Sequence, residues 1–168
     1  MESKFKVLGH PVHPMLVVFP LGLLSTAVIF DILYVVTGNE QLAVFALWAI
    51  AAGVVGGLLA AVFGVWDWLA IPDDTRAKRV GRLHGGGNAM LIALFAISWV
   101  LRLDHVAYLP ETPLPLVLGL LGAGLALVTA WLGGELVYRL RVGVDDRARL
   151  NASSSLSESV VADVERPA

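Results

Sequence analysis

Four long apolar stretches, separated by short polar segments, constrain the fold of this 168-residue chain more than any other feature. They are Met15–Val36, Leu42–Leu69, Leu83–Leu103 and Leu114–Val137. A bilayer core about 30 Å thick takes about 20 residues of helix to cross. Each stretch meets or approaches that length. The sequence therefore predicts an all-α fold: a four-helix transmembrane bundle of antiparallel helices, forming one transmembrane domain over residues 1–144.

The composition agrees with a membrane domain and excludes several classes of function. Apolar residues make up 57% of the chain and charged residues 15%, and the net charge is −2. That balance lacks the global basic field of a nucleic-acid-binding protein, so we expect no nucleic-acid partner. There is no cysteine, which excludes disulfides, thiolate metal sites and iron–sulfur ligation. From Asp145 onward the chain is polar and rich in serine, and we expect residues 145–168 to form a disordered tail.

The distribution of lysine and arginine predicts how the chain is oriented in the membrane. Basic residues precede the first stretch, separate the second from the third, and follow the fourth: Lys4, Lys6, Arg76, Lys78, Arg79, Arg82, Arg139, Arg141, Arg147 and Arg149. The other two connections contain only Arg102. By the positive-inside rule, both termini and the middle connection should be cytoplasmic.

Small residues recur at four-residue steps in the second and fourth stretches. They are Ala52, Gly56, Ala60 and Gly64, and then Gly122, Ala126, Ala130 and Gly134. Such faces let helices approach closely in lipid, so we expect tight helix packing there. A homo-oligomer interface is the alternative interpretation. No convincing internal repeat is visible in the sequence.

Polar side chains with ligand chemistry cluster at the predicted cytoplasmic ends. His10 and His13, each followed by proline, precede the first stretch, Asp67 closes the second, His84 opens the third and Glu135 closes the fourth. Imidazoles bind zinc, iron and haem, and carboxylates complete non-haem metal sites or orient the ligand histidines.

Two related sites are therefore predicted at this end of the bundle. The first is a cofactor site formed by His10, His13, His84 and Asn88, of which Asn88 shares a helix face with His84. The second is a metal site formed by His10, His13, His84, Asp67 and Glu135. The corresponding cofactors are haem b and a divalent transition metal.

Each of these residues also has a structural interpretation. The His-Pro-Val-His-Pro segment would then only be a rigid entry to a helix, with its two histidines at the membrane interface. Asp67 would bond to nearby loop arginines. Glu135 would form an i,i+4 ion pair with Arg139, and His84 would donate to a carbonyl of the Gly85-Gly86-Gly87 run.

Two charges lie at the opposite end. Asp31 and Arg102 are costly in a membrane unless they are paired or hydrated, so we expect them to approach each other as a structural clamp. His105 is interpreted as a solvated loop residue.

Several segments together resemble a known family. They are the opening Gly-His-Pro-Val-His-Pro-Met-Leu-Val-Val-Phe-Pro-Leu-Gly, Trp66-Asp67-Trp68, the His84 and Asn88 pair, and Gly133-Gly134-Glu135-Leu136-Val137-Tyr138. They resemble a bacterial transmembrane domain family of unknown function, number 2231, over about residues 8–144. The resemblance implies a multi-pass inner-membrane protein without an established activity. Some relatives look fused to Rieske-type iron–sulfur domains, which implies a redox association.

The sequence favours a cofactor-binding, redox-associated membrane module over two other functions. The first alternative is a non-catalytic assembly subunit docking to a membrane or redox protein partner. The second, less favoured, is a small transporter, because only Asp31 interrupts the central apolar spans and no ionisable chain crosses the membrane. No hydrolase or phosphate-binding motif is present, and no enzyme class is predicted.

Overall fold

The computed structural model describes residues 1–103 and 112–156. His105 and the tail beyond residue 156 lie outside the described residues, so the predictions made for them stay predictions. The described elements are β1 (Lys6–Val7), β2 (His10–Pro11), α1 (Val12–Leu16), α2 (Val18–Thr37), α3 (Glu40–Leu69), α4 (Arg76–Val100), α5 (Leu114–Gly134) and a π-helical segment (Glu135–Arg139).

The all-α prediction is confirmed. Four helical spans in the described part of the chain are long and apolar enough to cross a membrane. They are Val12–Thr37, Glu40–Leu69, Arg76–Val100 and Leu114–Arg139. The strands β1 and β2 form only a two-residue antiparallel pair that precedes the first span.

Local sequence signals fix where the helices begin and end. Gly38, at φ 68°, ends α2 in the left-handed conformation that glycine tolerates best. The Asn39 side chain then accepts a hydrogen bond from the Gln41 amide and caps α3. Thr75 caps α4 through the Lys78 amide. This cap explains why α4 starts at Arg76 and not at Leu83, where the apolar stretch begins.

The helices meet around a core near the middle of the bundle. It consists of Leu24, Ala27, Val28, Ala46, Ile50, Leu91 and Phe95. Many large apolar side chains point outward, among them Trp48, Leu127 and Trp131, each more than half exposed. An outward apolar surface of this kind suits contact with lipid tails.

Most of the close helix contacts that the small-residue pattern predicts are made at its glycines. A side chain at Gly56 would meet Phe19 and Pro20, and one at Gly122 would meet Phe95. Ala52 and Ala130, in contrast, are exposed. The two small-residue faces are therefore only partly used for packing within the chain.

Candidate functional site

His13 lies near the end of α3 and bonds to its backbone. Its Nδ1 is 2.8 Å from the Ala60 carbonyl oxygen. Because a carbonyl oxygen can only accept, Nδ1 carries the proton, and Nε2 of the neutral ring is then unprotonated. Gly64, one turn after Ala60, makes room for the ring, since a Cβ there would lie 2.8 Å from Cε1 of His13.

His84 has the same arrangement with α5. Its Nδ1 is 2.9 Å from the Thr129 carbonyl oxygen, so this ring too carries its proton on Nδ1. A Cβ at Gly133 would lie 3.1 Å from Cε1 of His84. Asn88 donates from Nδ2 to the His84 carbonyl at 2.9 Å, and the same nitrogen is 3.2 Å from His84 Nε2.

The two imidazoles lie close together in an edge-on arrangement. Their ring centroids are 6.5 Å apart and their planes make an angle of 89°. We call this end of the bundle the histidine end. The structure thus brings together two of the three histidines named by the sequence, together with Asn88.

The third histidine stands apart from this pair. His10 is an exposed residue of β2, where it pairs with Val7 across the short strand ladder. The ladder explains its position, because alternation along an extended strand directs His10 differently from His13, which is already in α1. His10 is therefore not one of the two paired rings.

The two carboxylates named as metal ligands are engaged elsewhere. Asp67 accepts hydrogen bonds from the Ser3 hydroxyl at 2.7 and 2.8 Å and from the Lys4 amide at 2.8 Å. Glu135 pairs with Arg76 at the start of α4 at 2.5 Å, and not with Arg139 as the i,i+4 interpretation expects. The π-helical turn that starts at Glu135 changes the register of the last turn.

These contacts bear on what the site can bind. Among residues 1–103 and 112–156, no group of three or more His, Cys, Asp or Glu side chains has the geometry to hold a metal ion. A site built from His13 and His84 therefore offers two nitrogen donors and no third protein ligand of these types.

The N-terminal segment covers part of the histidine end. Phe5 stacks on Trp66 with ring centroids 4.4 Å apart and meets Phe63 edge-on. The terminal ammonium donates to the Arg141 carbonyl at 3.1 Å. Lys6 forms an ion pair with Glu2, and this hydrogen bond lowers the pKa of Glu2 below its ordinary value.

At the opposite end, Asp31 and Arg102 form the pair that the sequence predicts. Both guanidinium NH groups donate to the carboxylate, at 2.7 Å each, and both residues are at most 3% exposed. Ser98 supports the pair, since its hydroxyl accepts from Arg102 at 3.3 Å and donates to the Pro115 carbonyl at 2.8 Å. The predicted approach of the two charges is confirmed.

The sequence predicts no backbone partner for His13, and for His84 it predicts a carbonyl of the Gly85-Gly86-Gly87 run, which is not the acceptor observed. The acceptors are the carbonyls of Ala60 and Thr129, and no side-chain pattern identifies a carbonyl acceptor. A usable signal was present in the glycines, because Gly64 and Gly133 each follow an acceptor by four residues and lie against the ring it binds.

Comparison with known proteins agrees with the membrane assignment. A family model described as a predicted membrane protein, DUF2231, matches residues 9–146. No curated protein and no solved structure matches the chain.

Proposed function

The chain belongs to the DUF2231 family of predicted membrane proteins, and from this premise we propose that it is a haem b-binding membrane module in which His13 and His84 would hold the iron. The observation that carries the proposal is the pair of near-perpendicular imidazoles, each held through Nδ1 by a carbonyl of a neighbouring helix.

The hydrogen bonds favour both rings as ligands. A ligand histidine ordinarily donates its other ring N–H to a carbonyl or carboxylate, which fixes the tautomer and the ring orientation. The Ala60 and Thr129 carbonyls provide this bond for His13 and His84. Nε2 is then the nitrogen available for an iron.

The rings are also close enough that both would be able to hold one iron. The centre of an imidazole lies about 1.1 Å from Nε2, and a metal–nitrogen bond is about 2.0 Å long. Two rings that share one metal in line therefore have centroids roughly 6.3 Å apart. The separation in the structure is 6.5 Å.

The number of donors favours haem over a bare metal ion. A tetrahedral zinc site takes four ligands, or three and a water, whereas haem brings four nitrogens of its own and needs only axial ligands from the protein. Two imidazoles from facing helices are a sufficient set for haem.

When bound, haem would supply one-electron transfer. The residues of the chain would hold it in a defined position. His13 and His84 would be oriented by the carbonyls, and the Asn88 amide, 3.2 Å from His84 Nε2, would have to turn away. We also propose that the protein lies in the bacterial inner membrane with the histidine end toward the cytoplasm, because Lys4, Lys6 and Arg82 lie close to that end in sequence.

A haem titration of the purified full chain in detergent tests the proposal. We expect one haem per chain and the low-spin visible spectrum of two imidazole ligands. His13→Ala and His84→Ala should each abolish that spectrum. His10→Ala is the matched control, since it removes an exposed imidazole from the same segment, and it should leave the spectrum unchanged.

Three results would overturn the proposal. The first is failure of the native chain to bind stoichiometric haem, and the second is an unchanged spectrum in both His13→Ala and His84→Ala. The third is a loss in His10→Ala as large as in the other two variants. Size-exclusion profiles of all four proteins show whether a lost spectrum reflects lost ligation or lost folding.

A further inference from the structure

The first and third spans place corresponding residues at one constant separation. Asp31 and Arg102, which pair at one end of the bundle, are 71 residues apart. His13 and His84, which face each other at the histidine end, are also 71 residues apart. Leu24 and Phe95, both buried in the core, have the same separation, as do Ala27 and Ser98, both fully buried.

The second and fourth spans show a second constant separation. The Ala60 and Thr129 carbonyls, which accept from the two histidines, are 69 residues apart. Gly64 and Gly133, which lie against the two rings, are also 69 residues apart. Identical residues recur in this register at Leu47 and Leu116, Gly53 and Gly122, Leu58 and Leu127, Ala61 and Ala130, and Gly64 and Gly133.

The residues of the two registers also make equivalent contacts with each other. A Cβ at Gly53 would lie 2.6 Å from the Leu24 side chain. The registers map Leu24 onto Phe95 and Gly53 onto Gly122. A Cβ at Gly122 would lie 2.6 Å from the Phe95 ring. The same glycine-to-core contact thus occurs within each half.

We infer that the chain is an internal duplication of a helical hairpin, with α1–α3 and α4–α5 as halves related by a pseudo-two-fold axis. In a two-fold interface, a residue that meets its own equivalent lies on the axis. His13 meets His84 at one end and Asp31 meets Arg102 at the other. Each of these sites is therefore single and on the axis, and neither hairpin forms it alone.

The pseudo-symmetry gives the Asp31–Arg102 ion pair a specific role: it favours association of the two different halves. Two copies of the first hairpin would bring Asp31 against Asp31, and two copies of the second would bring Arg102 against Arg102. Like charges at a fully buried position oppose association, whereas the unlike pair favours it. Each hairpin should therefore pack through this surface on the other hairpin in preference to a second copy of itself. This inference does not depend on haem binding.

Exchange of the paired residues in the full chain tests the duplication. Asp and Arg differ in length, so an exchange restores the same geometry only where the two backbone positions are equivalent. Asp31→Arg and Arg102→Asp alone should each lose most of the monodisperse protein. The double exchange should recover at least half of that loss in yield and in thermal midpoint.

A second exchange makes the test more specific. Ala27→Ser with Ser98→Ala moves the supporting hydroxyl to the other half, where the equivalent of the Pro115 carbonyl is the Ala46 carbonyl. Added to the charge exchange, it should recover stability further. In the native background it should be destabilising. Two results would overturn the inference. One is that the Ala27 and Ser98 exchange destabilises the charge-exchanged protein and stabilises the native one. The other is that the double charge exchange is no more stable than the single variants.

Cross-linking keeps the test decisive if the charge variants fail to fold. The chain has no cysteine, and a Cβ at Gly119 would lie 3.5 Å from Val28. The registers map this contact onto Ile50 and Trp99. Val28→Cys with Gly119→Cys, and Ile50→Cys with Trp99→Cys, should both form a disulfide, whereas Val55→Cys with Trp99→Cys should not. Cross-linking of the first pair but not the second would contradict the duplication.

Discussion

Substitution of Gly64 by alanine separates the role of the His13 site from that of general packing. An added Cβ would lie 2.8 Å from Cε1 and 2.9 Å from Nδ1 of the His13 ring. Ordinary contact begins at about 3.4 Å, so the ring must move by about 0.6 Å. The hydrogen bond to the Ala60 carbonyl, now 2.8 Å, would lengthen to the edge of the bonding range.

Two effects of Gly64→Ala on the free energy of unfolding nearly cancel, whereas the expected effect on haem affinity has no such compensation. A lost hydrogen bond of this kind costs about 0.5–1.5 kcal/mol. Alanine in place of glycine in a helix returns about 1 kcal/mol. We therefore expect a free energy of unfolding within about 1 kcal/mol of the native value. If His13 holds haem as proposed, its displacement should weaken haem binding by about 1.4 kcal/mol or more, which is tenfold.

The assays are denaturant unfolding of the haem-free protein in detergent and a haem titration followed by visible absorption. Gly124→Ala is the matched control, because no described atom lies within 4 Å of a Cβ there. It should stabilise the protein by up to about 1 kcal/mol and leave haem affinity unchanged. The reasoning fails if Gly64→Ala stabilises as much as Gly124→Ala, or if its affinity for haem is native.

Two further predictions concern the polar contacts at the histidine end. Lys78 is only 8% exposed and donates to the Trp68 and Ile71 carbonyls at 3.1 and 3.0 Å. Lys78→Met should therefore lower the free energy of unfolding by about 1–3 kcal/mol, measured by denaturant unfolding. Asp73→Ala, which removes only an exposed partner of Lys78, should change it by less than about 1 kcal/mol. The hydrogen bond with Lys6 lowers the pKa of Glu2. The contact therefore stabilises the folded N-terminal segment at pH values above 4.5, the ordinary pKa of a glutamate, and this stabilisation is lost as the pH falls through the lowered pKa. The protection factors of the backbone amides in residues 1–11, which correct for the intrinsic pH dependence of exchange, should fall below that pH and stay constant between pH 6 and 8.

The helices and the ion pair could be predicted from the sequence because lipid imposes simple requirements. A span needs enough apolar length, and a charge within it needs a partner. These requirements suffice to identify four spans and to pair Asp31 with Arg102. The start of α4 was predicted seven residues late, because the helix continues past the apolar stretch until Thr75 caps it.

The histidine end was less predictable because backbone geometry decides it. Sequence spacing cannot distinguish His10 from His13, yet the break from strand β2 to helix α1 leaves one exposed and brings the other to α3. Asp67 and Glu135 have several potential partners at that end, and only the fold assigns them to Ser3 and Arg76. The proposed internal repeat is not visible in the sequence alone, because the two registers differ, at 71 and 69 residues, and few residues are identical between the halves.

The two on-axis pairs explain why the halves diverged at one end and not at the other. Two carboxylates, or two guanidiniums, cannot both be fully buried against each other without an uncompensated charge. A duplicated hairpin with the same charged residue at this position would therefore gain from a change of sign in one copy, as Asp31 and Arg102 show. Imidazoles, unlike carboxylates and guanidiniums, can meet without two like charges, so this penalty does not apply to them. The same symmetry that requires Asp31 and Arg102 to differ therefore allows His13 and His84 to be identical.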